Sequence, residues 1–249
     1  MMKVLEVKQL TKQFGETRVL KNIDLSVNKG EFVVIMGQSG SGKSTLLHLL
    51  SGMDQTTSGS VIVSGEDISQ ADESYMSQFR LNRMGFIFQQ SYLLKNLTIR
   101  DNIILPGFKS AKVSREEVNQ RADAIMAKVG IENVAANDIK KVSGGQLQRA
   151  AICRALINEP EILFADEPTG ALNSRATQEI LDILTNINKE GTTIVLVTHD
   201  TKVASRADRI VYVVDGRVND QLELSAYETN QDLIKRDKII SSWLEERGF

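Results

Sequence analysis

The 249-residue chain is poor in cysteine, has no long apolar run and carries no excess of either charge. One cysteine, Cys153, excludes an intrachain disulfide and suits a reducing compartment. It lies in Ala150-Ala151-Ile152-Cys153-Arg154-Ala155-Leu156, where a small apolar core residue is expected rather than a nucleophile. The longest apolar stretches, such as Phe32-Val33-Val34-Ile35-Met36, run to about five residues, whereas a membrane-spanning helix needs roughly 20. No apolar region follows Lys3, so no secretory leader is expected. Thirty basic against 32 acidic residues leave a formal charge of -2, which weighs against a nucleic-acid partner. There is no internal repeat, low-complexity segment or long linker. The expectation is a cytosolic protein that meets a membrane only through a partner.

Short alternating apolar patterns over 4–7 and 19–27 predict strands, broken at Phe14-Gly15-Glu16 and Asn28-Lys29-Gly30. Residues 32–36, 162–165 and 193–197 are continuous apolar runs, as in strands buried on both faces of a parallel sheet. Between the last two, Ile180, Leu181, Ile183, Leu184 and Ile187 recur at helical spacing, giving a βαβ pattern. A further strand over 210–214 ends in the turn pair Asp215-Gly216. Residues 90–157 read as mostly helical, with a capping box at Ser114 and Glu117 ahead of Val118, Ala122, Ile125 and Val129. The tail places Leu233, Ile240, Trp243 and Leu244 on one helix face, expected to pack on its own domain.

Gly37-Gln38-Ser39-Gly40-Ser41-Gly42-Lys43-Ser44-Thr45 follows a predicted strand and opens a predicted helix over 46–50. That is the context a phosphate loop requires. Glycines let the backbone wrap a polyphosphate, and the helix N-terminus adds partial positive charge. Lys43 can reach the β- and γ-phosphates, Ser44 can ligate Mg²⁺, and Thr45 can bond the α-phosphate.

The strand over 162–165 ends in Asp166 and Glu167. Asp166 suits Mg²⁺, directly or through water, and Glu167 suits orienting the attacking water. His199 also follows a buried strand, so it is expected at the same sheet edge, near the γ-phosphate. His48, in the helix after the phosphate loop, is expected to be structural. Gln89 follows the short strand Gly85-Phe86-Ile87-Phe88 and can touch Mg²⁺ or water, but Gln90 is an equal candidate on sequence grounds. Ser143-Gly144-Gly145, ahead of a helical segment over 146–157, forms a second anion-binding helix N-terminus. With this chain's phosphates already on their own loop, its natural ligand is the γ-phosphate held by another copy.

Together these residues resemble the nucleotide-binding subunit of an ATP-binding cassette transporter. In order they match its Walker A motif (37–45), Q-loop (Gln89), signature (Val142-Ser143-Gly144-Gly145-Gln146), Walker B motif (162–167), D-loop (Ala171-Leu172-Asn173) and switch histidine (His199). The resemblance covers about residues 2 to 220. It implies an α/β fold: a P-loop NTPase core with a parallel sheet, an N-terminal antiparallel β subdomain and an inserted helical subdomain. One ATPase domain would span 1–249, with its core at about 1–89 and 158–224, the helical subdomain at about 90–157 and a tail helix at about 229–247. The resemblance further implies ATP and Mg²⁺ as cofactors, Phe14 stacking on adenine, and a dimer in which the signature acts in trans. It also implies a place at the cytoplasmic face of the membrane, held by a permease whose coupling helix meets Tyr92, Leu93, Leu94 and Leu97.

Phe86-Ile87-Phe88-Gln89, Tyr92-Leu93-Leu94, Asn102-Ile103 and the run 165–172 are similar to the group serving permeases with large extracellular domains. That group includes macrolide and antimicrobial-peptide exporters, bacitracin-type resistance transporters, lipoprotein-release systems and the regulatory cell-division pair. The tail around Ser242-Trp243-Leu244 leans toward antimicrobial-peptide export or resistance. Two residues depart from the usual pattern: Val142 stands for leucine in the signature, and Asn173 for aspartate in the D-loop, removing a charge.

Overall fold

The computed structural model describes residues 2–224, 227 and 232–249. Along the chain run β1 (Lys3–Phe14), β2 (Thr17–Asn28), β3 (Phe32–Met36), α1 (Lys43–Leu50), β4 (Ser58–Val63), β5 (Glu66–Asp67), α2 (Glu73–Arg83) and β6 (Met84–Phe88). They are followed by α3 (Ile99–Ser110), α4 (Arg115–Val129), α5 (Gly144–Leu156), β7 (Ile162–Asp166) and α6 (Ser174–Lys189). Last come β8 (Thr193–Val197), α7 (Thr201–Ala204), β9 (Arg209–Val214), β10 (Arg217–Glu223) and α8 (Asp232–Glu245). The chain divides into two compact units, Met1–Asp72 with Asn188–Phe249, and Glu73–Ile187.

In the first unit β2, β1, β4 and β5 form an antiparallel sheet. The predicted strand over 4–7 is only the start of β1, which continues to the Gly15-Glu16 turn. Its middle is irregular because Gln9 and Asn22 adopt positive φ, of 49° and 54°, and the pairing register shifts between Val7 and Leu10. Asp24 holds the bulge by accepting from the Gln9 backbone N–H at 2.9 Å and from its side-chain amide at 2.6 Å. The second sheet of this unit has β3 between parallel neighbours β8 and β9, with β10 antiparallel to β9. Every residue of β3 and β8 is buried, which explains their unbroken apolar sequence. Asp215 and Gly216 turn the β9–β10 hairpin with φ of 47° and 76°, as a tight hairpin turn demands.

The tail helix is described from Asp232, so the expected start at residue 229 lies outside the described residues. It packs on its own unit. Ile240 and Leu244 are buried, the Arg236 guanidinium donates to the Ser205 carbonyl at 2.6 Å, and Trp243 stands edge-on to Tyr212 at 5.9 Å.

In the second unit β6 and β7 pair in parallel, and α3, α4 and α5 enclose an apolar core. That core includes Ile99, Ile103, Val118, Ala122, Met126 and Ala150. Ser114 caps α4 as expected, accepting from the Glu117 N–H at 3.1 Å. The Glu117 carboxylate does not return to complete a box; it pairs with Arg121 at 2.6 Å, one turn onward. A complete box is present instead on α3, between Thr98 and Asp101. Among the described residues no helix is long and apolar enough to cross a membrane.

Cys153 is fully buried in this core, and burial pushes its thiol pKa up to about 12. It is therefore a packing residue. A thiol-reactive disulfide reagent at pH 8 is expected to leave Cys153 untouched in the native chain and to modify it stoichiometrically in denaturant. Because the folded pKa lies above the unfolded one, Cys153 costs no stability at neutral pH. It favours unfolding as pH rises past the unfolded thiol value toward 12.

Candidate nucleotide site

The phosphate loop begins where buried β3 ends. A Cβ at Gly37 would collide with the Val213 carbonyl oxygen and lie 2.7 Å from Ser41 Oγ, so only glycine lets the chain leave the strand here. Gly42, at φ 99°, is the N-cap of α1 and would meet Leu20 Cδ2 at 2.8 Å if it bore a side chain. No side chain caps the start of α1, and a helix N-terminus favours an anion. Lys43 folds back over the loop, its ammonium donating to the Gly37 and Gln38 carbonyls at 2.7 Å each. Gln38, Ser39, Gly40 and Ser44 are exposed, while Thr45 is half-buried. Ser41 Oγ is buried without a hydrogen-bond partner among the described residues. A cation, an uncapped helix start and an orphaned hydroxyl on one loop fit a polyphosphate.

His199 stands on the same edge of the same sheet. β3 and β8 run in register, Ile35 opposite Val197, so Gly37 and His199 both follow adjacent strand ends. The imidazole is exposed. Its backbone is fixed by Thr198, whose N–H donates to the Ile35 carbonyl at 3.2 Å and whose Oγ1 accepts from the Asp200 N–H at 3.1 Å. Asp200 in turn caps α7. Phe14, at the end of β1, is 51% exposed with the Lys12 ammonium 4.7 Å from its ring centre. An exposed ring at a strand end suits stacking.

In the second unit, β7 ends at half-buried Asp166, paired in register with Phe88 of β6. Gln89 and Glu167 therefore follow neighbouring strand ends. Glu167 adopts φ 45°, an unfavourable conformation for a residue with a side chain. A Cβ at Gly170 would stand 2.9 Å from the Gln89 side-chain nitrogen. Gln89 thus lies against the loop that carries the acids. Among the described residues no three His, Cys, Asp or Glu side chains group to hold a metal. Each unit taken by itself carries side-chain oxygens of the kind Mg²⁺ accepts: the Ser44 hydroxyl in the first, and the Asp166 carboxylate and Gln89 amide carbonyl, at and just past the ends of paired strands, in the second.

The signature residues open α5. Ser143 Oγ accepts from the Gln146 N–H at 3.3 Å, and the Gln146 side-chain oxygen accepts from the Ser143 N–H at 2.9 Å. This is a complete capping box. It occupies both polar side chains, and the amides of Gly144 and Gly145, in the first turn, have no intrahelical acceptor. They border a cavity of about 500 Å³ whose wall continues through Leu172, Asn173 and Arg175. Arg149 and Arg175 reach this wall and share Glu179, at 2.6 and 3.1 Å. Arg175 first, and Arg149 next, hold the Glu179 carboxyl below the usual range. Of the four residues expected to meet a partner helix, Tyr92 and Leu94 are more than half exposed. Leu93, by contrast, is buried in the core of this unit.

A family model described as ABC transporter matches residues 20–170. The chain belongs to the ABC transporter family. It is 42% identical over 226 residues to the bacitracin export ATP-binding protein BceA of Halalkalibacterium halodurans, covering 89% of each chain. It is equally identical to the macrolide export ATP-binding/permease protein MacB of Mannheimia succiniciproducens, of which it spans 35%. It is 41% identical to the lipoprotein-releasing system ATP-binding protein LolD of Aquifex aeolicus, covering 97% of that protein and 88% of itself. Among solved structures, the dimeric ABC cassette MJ0796 bound to ADP and Pi aligns with TM-score 0.81 at 38% identity. That match covers 90% of this chain and all of that one. The fold is that of the ABC ATPases.

Within this ABC fold the D-loop asparagine has a structural role that sequence reasoning missed. Asn173 Oδ1 accepts from the Ala176 N–H at 2.9 Å at the start of α6. Asparagine and aspartate are comparable caps, so the departure preserves this bond. Asn173→Asp is expected to leave stability within a few tenths of a kcal/mol, whereas Asn173→Ala should cost about 1 kcal/mol. Urea unfolding of the two variants checks this.

Proposed function

We propose that this chain is the ATP-hydrolysing subunit of a transporter, energising a separate membrane permease that exports, or confers resistance to, antimicrobial peptides or drugs. The observation that carries the catalytic part is the acid pair at the end of β7, with Glu167 held at φ 45°. Such a carboxylate in strained backbone suits chemistry better than packing.

In this mechanism the loop amides of residues 37–45 and Lys43 bind the triphosphate of ATP, and Phe14 stacks on the base. Lys43 exchanges its two loop carbonyls for phosphate oxygens. Ser44, Asp166 and Gln89 hold Mg²⁺, directly or through water; the ion supplies neutralisation of the charge developing on the phosphates. Glu167 orients a water and accepts its proton as the water oxygen bonds to the γ-phosphorus and the bond to the β–γ bridging oxygen breaks. His199 donates to the γ-phosphate. Ser143, Gly144, Gly145 and Gln146 contribute the first turn of α5 to the γ-phosphate bound by a second copy. ATP thus closes a dimer, and hydrolysis opens it.

The whole chain, 1–249, then acts as one ATPase domain, with its core at about 1–89 and 158–224 and the helical part at about 90–157. Tyr92 and Leu94 meet the permease's coupling helix at the cytoplasmic face of the membrane. The BceA likeness over nearly the full length of both chains supports the drug and peptide class. The LolD likeness makes lipoprotein release the second reading.

Glu167→Gln is expected to retain ATP affinity, lose nearly all turnover and accumulate as a dimer with ATP; equal turnover in mutant and wild type removes Glu167 from its role. Lys43→Ala should weaken nucleotide binding itself, measured by equilibrium titration. Mixing Lys43→Ala with Ser143→Arg subunits should restore part of the turnover that each lacks alone, through one composite site built from wild-type elements. Purifying the native complex and identifying the membrane protein that accompanies it distinguishes the two cargo classes.

A further inference from the structure

The end of α8 touches the phosphate loop. Helix α8 terminates in a double hydrogen-bonded cap: the Phe249 N–H donates to the Leu244 carbonyl and the Gly248 N–H to the Glu245 carbonyl, both at 3.1 Å. Gly248 has φ 77°, the left-handed residue such a cap requires. This directs the Gly248 carbonyl outward, where it accepts from the Gln38 side-chain amide at 3.0 Å. Gln38 is the second residue of the phosphate loop, and its own carbonyl accepts from the Lys43 ammonium at 2.7 Å.

Two further contacts anchor the cap. The Phe249 and Trp243 rings stand edge-on to Tyr212, with centres 6.0 and 5.9 Å away. Tyr212 is fully buried on β9, in register with Met36, the last residue of β3. The next residue, Val213, supplies the carbonyl against which Gly37 is packed. Arg247 lies over Trp243 at 4.4 Å and bonds Asp220 of β10 at 2.6 Å. The cap therefore holds the loop directly at Gln38, and it holds the strand behind the loop through Tyr212.

We propose that residues 247–249 are a positioning element for the nucleotide: they fix the exposed side of the phosphate loop in its binding shape before ATP arrives. The physical reason is preorganisation. A loop already ordered loses less conformational entropy on binding, so the benefit falls on affinity and not on the chemical step. The inference rests on the phosphate loop being the ATP site, and goes beyond it by giving the tail a part in that site.

The test compares the full chain with a chain lacking residues 247–249, and with Phe249→Ala, each alone and combined with Gln38→Ala. Binding of a fluorescent ATP analogue, KM, kcat and melting temperature are measured for each, with Lys43→Ala as the non-binding control. Loss of one loop-to-tail hydrogen bond should weaken binding by about three- to tenfold. In the tail variants Kd and KM should rise together while kcat at saturating ATP holds. In the Gln38→Ala background, tail deletion should add little, because both changes cut the same bond. Unchanged Kd in the tail variants overturns the proposal. Fully additive effects overturn it too, since a tail that merely stabilised the fold would behave so. Where deletion lowers the melting temperature, Phe249→Ala and its double variant with Gln38→Ala decide the matter in folded protein. If the wild-type chain binds the analogue no better than Lys43→Ala, the phosphate-loop assignment itself has failed, and the proposal falls with it.

Discussion

The nucleotide loop depends on a steric constraint at one glycine. β3 is buried between two parallel neighbours, and its chain must leave the sheet past the Val213 carbonyl with no room for a Cβ. That passage sets the direction in which the loop starts. The β9–β10 hairpin then braces the loop's far side, as the Gly216 N–H donates to the Ser41 carbonyl at 3.1 Å and the Gly216 carbonyl accepts from Lys21 at 2.8 Å. Between these two fixed points the loop turns, presenting the Gly37 and Gln38 carbonyls to its own lysine. A side chain on either glycine would strike backbone, which cannot yield cheaply.

In the second unit the recurring device is the helix cap. Ser143 and Gln146 satisfy each other at the start of α5, and Asn173 does the same service for α6. Capping by side chains at these points does two things at once. It stabilises the helix ends, and it leaves the Gly144 and Gly145 amides to face the bordering cavity. The residues that give the signature its name thus work partly as structure. A Cβ at Gly144 or Gly145 would stand 3.7 Å from Leu172 or 3.4 Å from Ala176, ordinary contact distances, so packing alone does not demand glycine there.

Much of the fold was legible because burial on both faces leaves an unbroken apolar run, as in β3, β7 and β8, and because Asp-Gly announces a hairpin. The phosphate loop was legible for a related reason: few residue types tolerate its geometry. Other elements were not. Helix α2 buries only Met76 and Phe79, too few for a periodic signal. The length of β1 was hidden by the bulge at Gln9, which breaks alternation without ending the strand. The box expected at Ser114 and Glu117 was half right, since the glutamate pairs with Arg121 and not with the Ser114 backbone N–H. That Gln89 lies against Gly170 could not be read from the sequence neighbours of either residue.

The amino-acid sequence alone carries chemical inventory and local geometry: which strands are buried, which loop is built for phosphate, which acids end a strand, and the family that the ordered motifs resemble. These are legible because they depend on residue type and near neighbours. Which side chains are already committed is fixed by the packed fold. It assigned Asn173 to a helix cap and Leu93 to the core. It also carried the carbonyl of Gly248 to Gln38, residues separated by most of the chain. Such pairings arise from long-range packing, and no local pattern encodes them.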